Sequence, residues 1–451
     1  MADIVTLAEK ALVARQKLPL AFGYDALRPS YDGLGLGNIA SVVMELLHPE
    51  SLSLKQQTIL PPFNPEILGV SEITETWKSW LHQAPIHHVV MLLVDALGYD
   101  QLRTVMQSGD APGLAEACVQ TNNFFIPATS VFPTMTVTAL SSAATAHAPA
   151  QHGIVCTHLY LQELGSLVNL IGLRPSIAPT PTPYSENQLN PKTLLPVPNI
   201  YQLLEQAGIC VEIINFHQYK DSGISRFTTA GSRAGSGHYI SYLTPTDGFA
   251  QLRERLQTKS NQSKSFTYMY LPNIDNAGHV FGPLSSCYRA EVAALDFSLK
   301  RELFEPLAGR DDVVLLLVAD HGQRCFDPGK ILWLNKHPGI TQHLFVPAIS
   351  ESRACFFYTK PGREVAVIDY VQRYLSDNFL VVTKAVAVEL GLFGLPGCPL
   401  GTESSDRIGE LILISPNGWV CLDDDSKLHY KGIHGGLSRE EMLIPFLAYR
   451  F

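Results

Sequence analysis

The chain has 451 residues, of which 46% are hydrophobic and 17% charged, which is typical of a globular protein with a large core and excludes a disordered chain. Its net charge of −9 comes from 42 acidic and 33 basic residues, and no run is rich in Lys and Arg, which argues against a stable complex with nucleic acid. No apolar run reaches membrane-spanning length, and the eight cysteines are scattered without a C-x-x-C pair. We therefore expect a soluble, cytoplasmic protein with reduced cysteines and no membrane contact.

The N-terminal part of the chain predicts helices with proline-broken connections. Its first residues, "MADIVTLAEKALVARQ", lack the basic start and apolar core of a signal peptide and predict an amphipathic helix. We expect residues 1–80 to form a helical arm that packs on a catalytic domain over residues 81–451.

Four apolar runs predict buried strands. Val89–Val94 is the first, Val211–His217 follows a helical pattern, and "SFTYMYLPNID" and "DDVVLLLVADHG" come later. Strands that alternate with helices indicate an α/β fold with a mostly parallel central sheet and helices on both faces. We expect the proline-rich residues 173–198 to form a surface loop, and residues 322–433 to form an inserted cap.

Between the first two runs lies "SVFPTMTVTAL", which carries four hydroxyl groups. They belong to Ser130, Thr134, Thr136 and Thr138. Threonine often caps a helix, and Pro-Thr before an apolar run is an ordinary helix start. The stretch alone is compatible with a cap or with a nucleophile.

Carboxylates and imidazoles gather where the predicted strands end, or in loops. The six residues are Asp95, Asp275, His279, Asp320, His321 and His434. Singly, each is compatible with a helix cap or an ordinary buried histidine. Together they suit zinc, and six ligands are too many for one catalytic ion. They suit two ions about 4 Å apart, which clamp both oxygens of a phosphoryl displacement.

The order of short motifs resembles the type I phosphodiesterase/nucleotide pyrophosphatase family of the alkaline phosphatase superfamily. The motifs are "VDALGYD", "FPTMT", "QHGIV", "PNIDNAGHVFGP", "VADHGQ" and "IHGG", which span residues 94–436 in this order. The resemblance implies an alkaline phosphatase-like fold.

The resemblance also implies roles for these residues. Asp275, His279 and His434 would hold the first metal ion, and Asp95, Asp320, His321 and the hydroxyl of Thr136 would hold the second. The nucleophile of the family lies sixteen residues before the histidine of "QHGIV", and counting back from His152 gives Thr136. Thr134, Thr138 and His152 would then be structural. The cofactors implied are two divalent ions, with Zn²⁺ favoured and Mn²⁺ as the alternative.

One position departs from the family pattern. Nucleotide pyrophosphatases usually carry an Asn after H-G-I that donates to a phosphate oxygen, whereas this chain has Thr157 in that place. We expect Thr157 to contact the substrate through its hydroxyl. Tyr268 and Tyr270 precede Asp275, and each is compatible with a core position or a pocket wall.

The implied activity is metal-dependent hydrolysis of a small-molecule phosphate ester or nucleotide, through a phosphothreonine on Thr136. The alternatives are a phosphomonoesterase or phosphonate hydrolase of the same superfamily, and a non-catalytic binding protein with the same fold. No Lys or Arg lies between Arg103 and Arg174, so no cation flanks Thr136 locally. This favours diesters and pyrophosphates over the more highly charged monoesters.

Overall fold

The structure is a computed structural model and describes residues 2–50, 59–178 and 180–451. Part of the N-terminal arm, at 51–58, and one residue of the proline-rich loop lie outside the described residues. The helices are α1 Ala2–Gln16, α2 Leu36–Leu47, α3 Ser71–His82, α4 Tyr99–Ser108, α5 Pro112–Ala117, α6 Thr136–Thr145, α7 Pro149–His152, α8 Ile200–Gln206, α9 Gly223–Thr228, α10 Pro245–Thr258, α11 Asn273–Phe281, α12 Ser286–Leu299, α13 Pro338–Thr341, α14 Glu364–Tyr374, α15 Lys384–Glu389, α16 Thr402–Arg407 and α17 Arg439–Met442. The strands are β1 His88–Val94, β2 Phe124–Thr129, β3 His158–Leu161, β4 Ser166–Asn169, β5 Arg174–Pro175, β6 Cys210–Phe216, β7 Tyr239–Tyr242, β8 Ser265–Leu271, β9 Val313–Val318, β10 Arg324–Cys325, β11 Ile331–Trp333, β12 Ile349–Glu351, β13 Ala354–Phe357, β14 Leu380–Thr383, β15 Leu411–Ile414, β16 Val420–Leu422, β17 Gly432–Ile433 and β18 Leu443–Arg450.

The described residues form a central seven-stranded sheet in the order β2-β18-β9-β1-β8-β6-β7. All neighbouring strands from β9 to β7 are parallel, and β18 is antiparallel to both β2 and β9. Strands β1, β8 and β9 are buried along their whole length, as the continuous apolar runs predicted. The prediction of a mostly parallel α/β sheet is confirmed.

The N-terminal residues pack into the same core as the sheet. The rings of Phe63 and Trp77 lie 5.6 Å apart and contact Phe124 of β2 and Phe446 of β18. The division of the chain into an arm and a catalytic domain stays a prediction, because packing alone does not define a domain.

The inserted region has a sheet of its own, in the order β12-β13-β15-β14. One face packs on the main core through residues such as Phe356 and Ile412. The other face, with Phe357 and Leu413, forms a second core with α14. The region therefore rests firmly on the main sheet, and two of its segments reach the cavity described below.

Two further findings concern the covalent and membrane context. No disulfide links the eight cysteines, all of which lie in the described residues. Across the described parts of the chain, none of the helices combines the length and the apolarity that a bilayer crossing requires.

Candidate active site

The carboxyl ends of three adjacent strands bring the acidic residues to one edge of the sheet. Leu93 of β1 is in register with Tyr270 of β8 and with Val318 of β9, so the residues that follow these strands are neighbours. Asp95 comes directly after β1, and Asp320 follows two residues after β9. Because β18 runs in the opposite direction, its start lies at this same edge, and the loop before it carries the late "IHGG" motif. Sheet topology thus gathers residues that are far apart in the chain.

Thr136 is the first residue of helix α6, after the cap residue Met135. Its hydroxyl Oγ1 lies 3.4 Å from Oδ2 of Asp95 and 3.2 Å from Nε2 of His321. The first backbone N–H groups of a helix have no partner within that helix, so they are available to an anion bound beside the threonine.

Asp95 and Asp320 are buried carboxyl groups whose pKa values are raised. Burial is the main cause for both, and the neighbouring negative charges of Asp320 and Asp275 raise the pKa of Asp95 further. Oδ1 of Asp320 accepts backbone N–H bonds from Ala96 and His321, and the Tyr270 hydroxyl donates to Oδ2 of Asp95. The other oxygen of each carboxyl, Oδ1 of Asp95 and Oδ2 of Asp320, is buried without a hydrogen-bond partner among the described residues.

Three residues form a second cluster at the same edge. Nε2 of His279 lies 3.2 Å from Nε2 of His434 and 3.4 Å from Oδ1 of Asp275. Nδ1 of His279 is 2.8 Å from the carbonyl of Gly432, and Nδ1 of His434 is 2.8 Å from the carbonyl of Thr134. These carbonyls accept the Nδ1 proton and leave Nε2 of both rings as a lone-pair donor, which is how metal-binding histidines are oriented.

The electrostatics of the site fit bound cations. Burial, followed by the charges of His321 and His279, holds the pKa of His434 well below its usual range, so its imidazole is neutral and able to coordinate a metal. Buried carboxylates without a partner are costly, and a divalent cation would satisfy their orphaned oxygens.

Among the described residues there are two sets of three possible ligand atoms, and within each set all the atoms lie within 4.8 Å of one another. The first is Asp275, His279 and His434, and the second is Asp95, Asp275 and His321. The two sets differ from the sequence expectation in two respects, since Asp275 belongs to both sets and Asp320 belongs to neither. Asp320 stays close, with Oδ2 3.2 Å from Nε2 of His321.

Gln323 orients Asp275 and was not anticipated from the sequence, although it closes the "VADHGQ" motif. Its side-chain amide donates to Oδ1 of Asp275 at 2.5 Å and to the backbone carbonyl of Asp275 at 3.2 Å. The side chain passes so close to Gly278 that a Cβ there would lie 1.8 Å from Oε1 of Gln323. A larger residue at the glycine of the D-x-x-G-H pattern would therefore displace the Gln323 side chain from its present position.

A cavity of about 340 Å³ opens beside Thr136. Apolar side chains make up much of its wall, and Thr157, Tyr270, Glu351 and Lys427 also line it. The backbone N–H of Thr157 donates to Oε1 of Glu351 at 3.0 Å, so the amide of this residue is already engaged. Whether its hydroxyl contacts the substrate stays a prediction.

Three further residues considered from the sequence, Thr134, His152 and Tyr268, contact the protein backbone or line a pocket wall. Thr134 is buried, and its hydroxyl bonds the backbone of Gly435 and Gly436 at 3.0 Å, which holds the loop of His434. Buried His152 accepts a bond from the N–H of Ile154, and burial holds its pKa well below the usual range. Tyr268 lies in the wall of a small recess next to the main cavity, so both tyrosines of β8 face pockets.

The sequence profile of the type I phosphodiesterase/nucleotide pyrophosphatase family matches residues 89–437. The chain belongs to this family. Hydrolysis of phosphoric esters is the general activity of the type I phosphodiesterases, and the family is generally metal-dependent. Comparison with curated proteins found no match.

Solved structures of similar fold come from the same superfamily. Murine ectonucleotide pyrophosphatase/phosphodiesterase 5, as an inactive variant in complex with AMP, is 18% identical, with a TM-score of 0.59 over 80% of this chain and 87% of that chain. Phosphonoacetate hydrolase from Sinorhizobium meliloti, in complex with phosphonoformate, is 17% identical, with a TM-score of 0.58 over 81% of this chain and 91% of that chain. At these identities the likeness concerns the fold, and it confirms the expected alkaline phosphatase-like fold of this chain.

Proposed function

We propose that the protein hydrolyses phosphodiesters or pyrophosphates by nucleophilic attack of Thr136, through a phosphothreonine intermediate. The observation that carries this proposal is the placement of Thr136 Oγ1 at the start of α6, within 3.4 Å of Asp95 and 3.2 Å of His321. A free threonine hydroxyl is a weak nucleophile and needs an activating environment.

The residues around Thr136 would hold two divalent cations, with zinc favoured. Asp275, His279 and His434 would bind the first, and Asp95, Asp320 and His321 the second. Bound cations lower the pKa of the threonine hydroxyl and neutralise charge on the phosphoryl oxygens. Elemental analysis of protein purified without chelator is expected to give about two equivalents per chain.

Two steps complete the reaction. In the first step Oγ1 of Thr136 loses its proton and forms a bond to phosphorus while the bond from phosphorus to the leaving oxygen breaks and that oxygen takes up the proton; the backbone N–H groups at the start of α6 bind non-bridging oxygens. In the second step water adds its hydroxyl group to phosphorus, the bond from phosphorus to Oγ1 breaks, and the remaining proton of the water goes to Oγ1. Preorganised charge at the phosphoryl group supplies the main part of the rate enhancement.

The substrate is proposed to be a diester or pyrophosphate because the cavity offers space for a second substituent. Its wall beside Thr136 includes Met135, Val137, Leu140 and Ile224, which suit an apolar or aromatic group. A nucleotide ester fits this description, as does any diester with an apolar arm.

Thr136→Ala is the decisive variant. We expect it to lower kcat/KM on bis-4-nitrophenyl phosphate by about a thousandfold or more, because the nucleophile is lost, while most of the metal binding is retained by the Asp and His residues. The control is Thr138→Ala, since the buried Thr138 hydroxyl lacks a hydrogen-bond partner among the described residues and its loss leaves the site intact. Full activity of Thr136→Ala, or an inactive Thr138→Ala, would contradict the assignment.

A further inference from the structure

Lys427 is the only Lys or Arg among the described residues that line the cavity beside Thr136. It comes from the inserted region, far from the nucleophile in sequence. Three residues later, the ring of Tyr430 lies 4.5 Å from the ring of His279, so this segment contacts one member of the cluster formed by Asp275, His279 and His434.

The ammonium group of Lys427 is held by two neighbours and keeps donors to spare. Nζ donates to Oγ of Ser352 at 3.1 Å and lies 3.7 Å from Oε2 of Glu351. The distance to Glu351 is too long for a strong hydrogen bond, so this contact is an ion pair without a donated proton. An ammonium has three N–H donors, and at least one of them is available to a ligand.

Glu351 ties this cation to the wall that carries Thr157. Its side chain is 4% exposed; Oε1 accepts the backbone N–H of Thr157 at 3.0 Å, and Oε2 faces Lys427. Because the backbone N–H of Thr157 donates to Glu351, it does not donate to the substrate. The lysine is the cationic donor that remains on this side of the cavity.

We propose that Lys427 binds a non-bridging oxygen of the phosphoryl group under attack. The lysine thereby determines how well the site accepts a phosphoryl group with two negative charges. The inference rests on the proposed function, because it places the phosphoryl group next to Thr136. A monoester or phosphonate group carries two negative charges and a diester group one. Lys427 therefore stabilises a dianionic group more strongly and extends the substrate range beyond diesters.

The test compares two esters with the same leaving group, 4-nitrophenyl phosphate and methyl 4-nitrophenyl phosphate, on metal-loaded protein. Lys427→Gln is expected to lower kcat/KM for the monoester about tenfold, and for the diester by clearly less, because one charge-assisted hydrogen bond is lost. Binding of inorganic phosphate, measured by calorimetry, is expected to weaken about tenfold as well. Lys431→Gln, an exposed lysine outside the cavity wall, is the matched control.

A second variant gives an effect of the opposite sign. Glu351→Gln keeps an oxygen for the Thr157 amide but removes the negative charge beside Lys427, so phosphate is expected to bind more tightly. Equal losses on the two esters, unchanged phosphate binding in Lys427→Gln, or an equal effect of Lys431→Gln would overturn the inference. A wild-type protein that hydrolyses neither ester would contradict the proposed function instead, while the phosphate titration still tests Lys427 without turnover.

Discussion

Gln323 illustrates how single side chains behind the ligands hold the site in shape. Its amide fixes one oxygen of Asp275, and the side chain is itself fully buried. The side-chain amide of Gln101 in turn donates to the backbone carbonyl of Gln323 at 2.5 Å. Asp275 belongs to both sets of ligand atoms, so its orientation affects both.

Gln323→Met is expected to weaken metal binding by about 10–100-fold, the usual cost of removing a partner that orients a ligand. Methionine matches the length of glutamine but cannot donate to Asp275. The measurement is a competition titration of zinc against a chelator, with Gln372→Met on the exposed face of α14 as the control. Wild-type zinc affinity in Gln323→Met would show that Asp275 needs no partner.

The turn between β12 and β13 connects the inserted sheet with the active site through three consecutive residues. Glu351 and Ser352 face the cavity, whereas Arg353 points into the core and pairs with Glu441 at 3.1 Å. Burial is the largest single influence and raises the pKa of Glu441, but the charge and hydrogen bonds of Arg353, the charge of Arg324 and the hydrogen bond from Ser438 together outweigh it and lower this pKa, so the pair is ionised. Oε1 of Glu441 also accepts the N–H of Gly436 at 2.9 Å, in the loop of the late histidine ligand.

Glu441→Gln is expected to lower the free energy of unfolding by about 3–5 kcal/mol, because it leaves the Arg353 charge buried without its partner. Urea unfolding of metal-free protein measures this change. The control is Arg226→Met, which breaks an exposed pair with Glu186 and is expected to cost less than about 1 kcal/mol. If the two variants lowered the free energy of unfolding equally, burial of the Arg353–Glu441 pair would have no effect on the cost of breaking it.

At the scale of the whole molecule, the sequence predicted the strands that read as continuous apolar runs, and their ends carry the acidic ligands. Strands β2 and β18 were not predicted, because each contains a proline, and proline within a run argues against a central strand. In the structure Pro127 and Pro445 lie opposite each other, and pairing with β9 begins only at Phe446. The two prolines, which have no backbone N–H to donate, therefore lie at the same level of the sheet in both strands.

Local patterns could also not predict the contacts made across large sequence separations. Glu351 and Lys427 reach the cavity from different segments of the inserted region, and only the folded sheet brings them to Thr157. Gln323 is the last residue of a recognised motif, yet its role depends on how closely α11 approaches it. The candidate ligands could be proposed from the sequence because strand ends and short motifs are local features, whereas their supporting partners come together only in the tertiary structure.

Strand β18 joins β2 to the parallel strands, so its core side chains are expected to dominate stability. Leu447 lies opposite Phe125 on one side and Leu317 on the other, and is fully buried. Leu447→Ala is expected to lower the free energy of unfolding by about 2–5 kcal/mol through lost burial and a residual cavity. Leu243→Ala, at a side chain that is 69% exposed, serves as the control and should change it by less than about 0.5 kcal/mol.

The position of β18 also determines when the sheet can close during protein synthesis. The ribosome makes β2 and β9 well before β18, the strand that lies between them. Until residues 443–450 emerge, the apolar edge of β9 and the facing edge of β2 have no partner, and unpaired edges of this kind promote aggregation. The central sheet can therefore close only after residues 443–450 are available to pair with both strands.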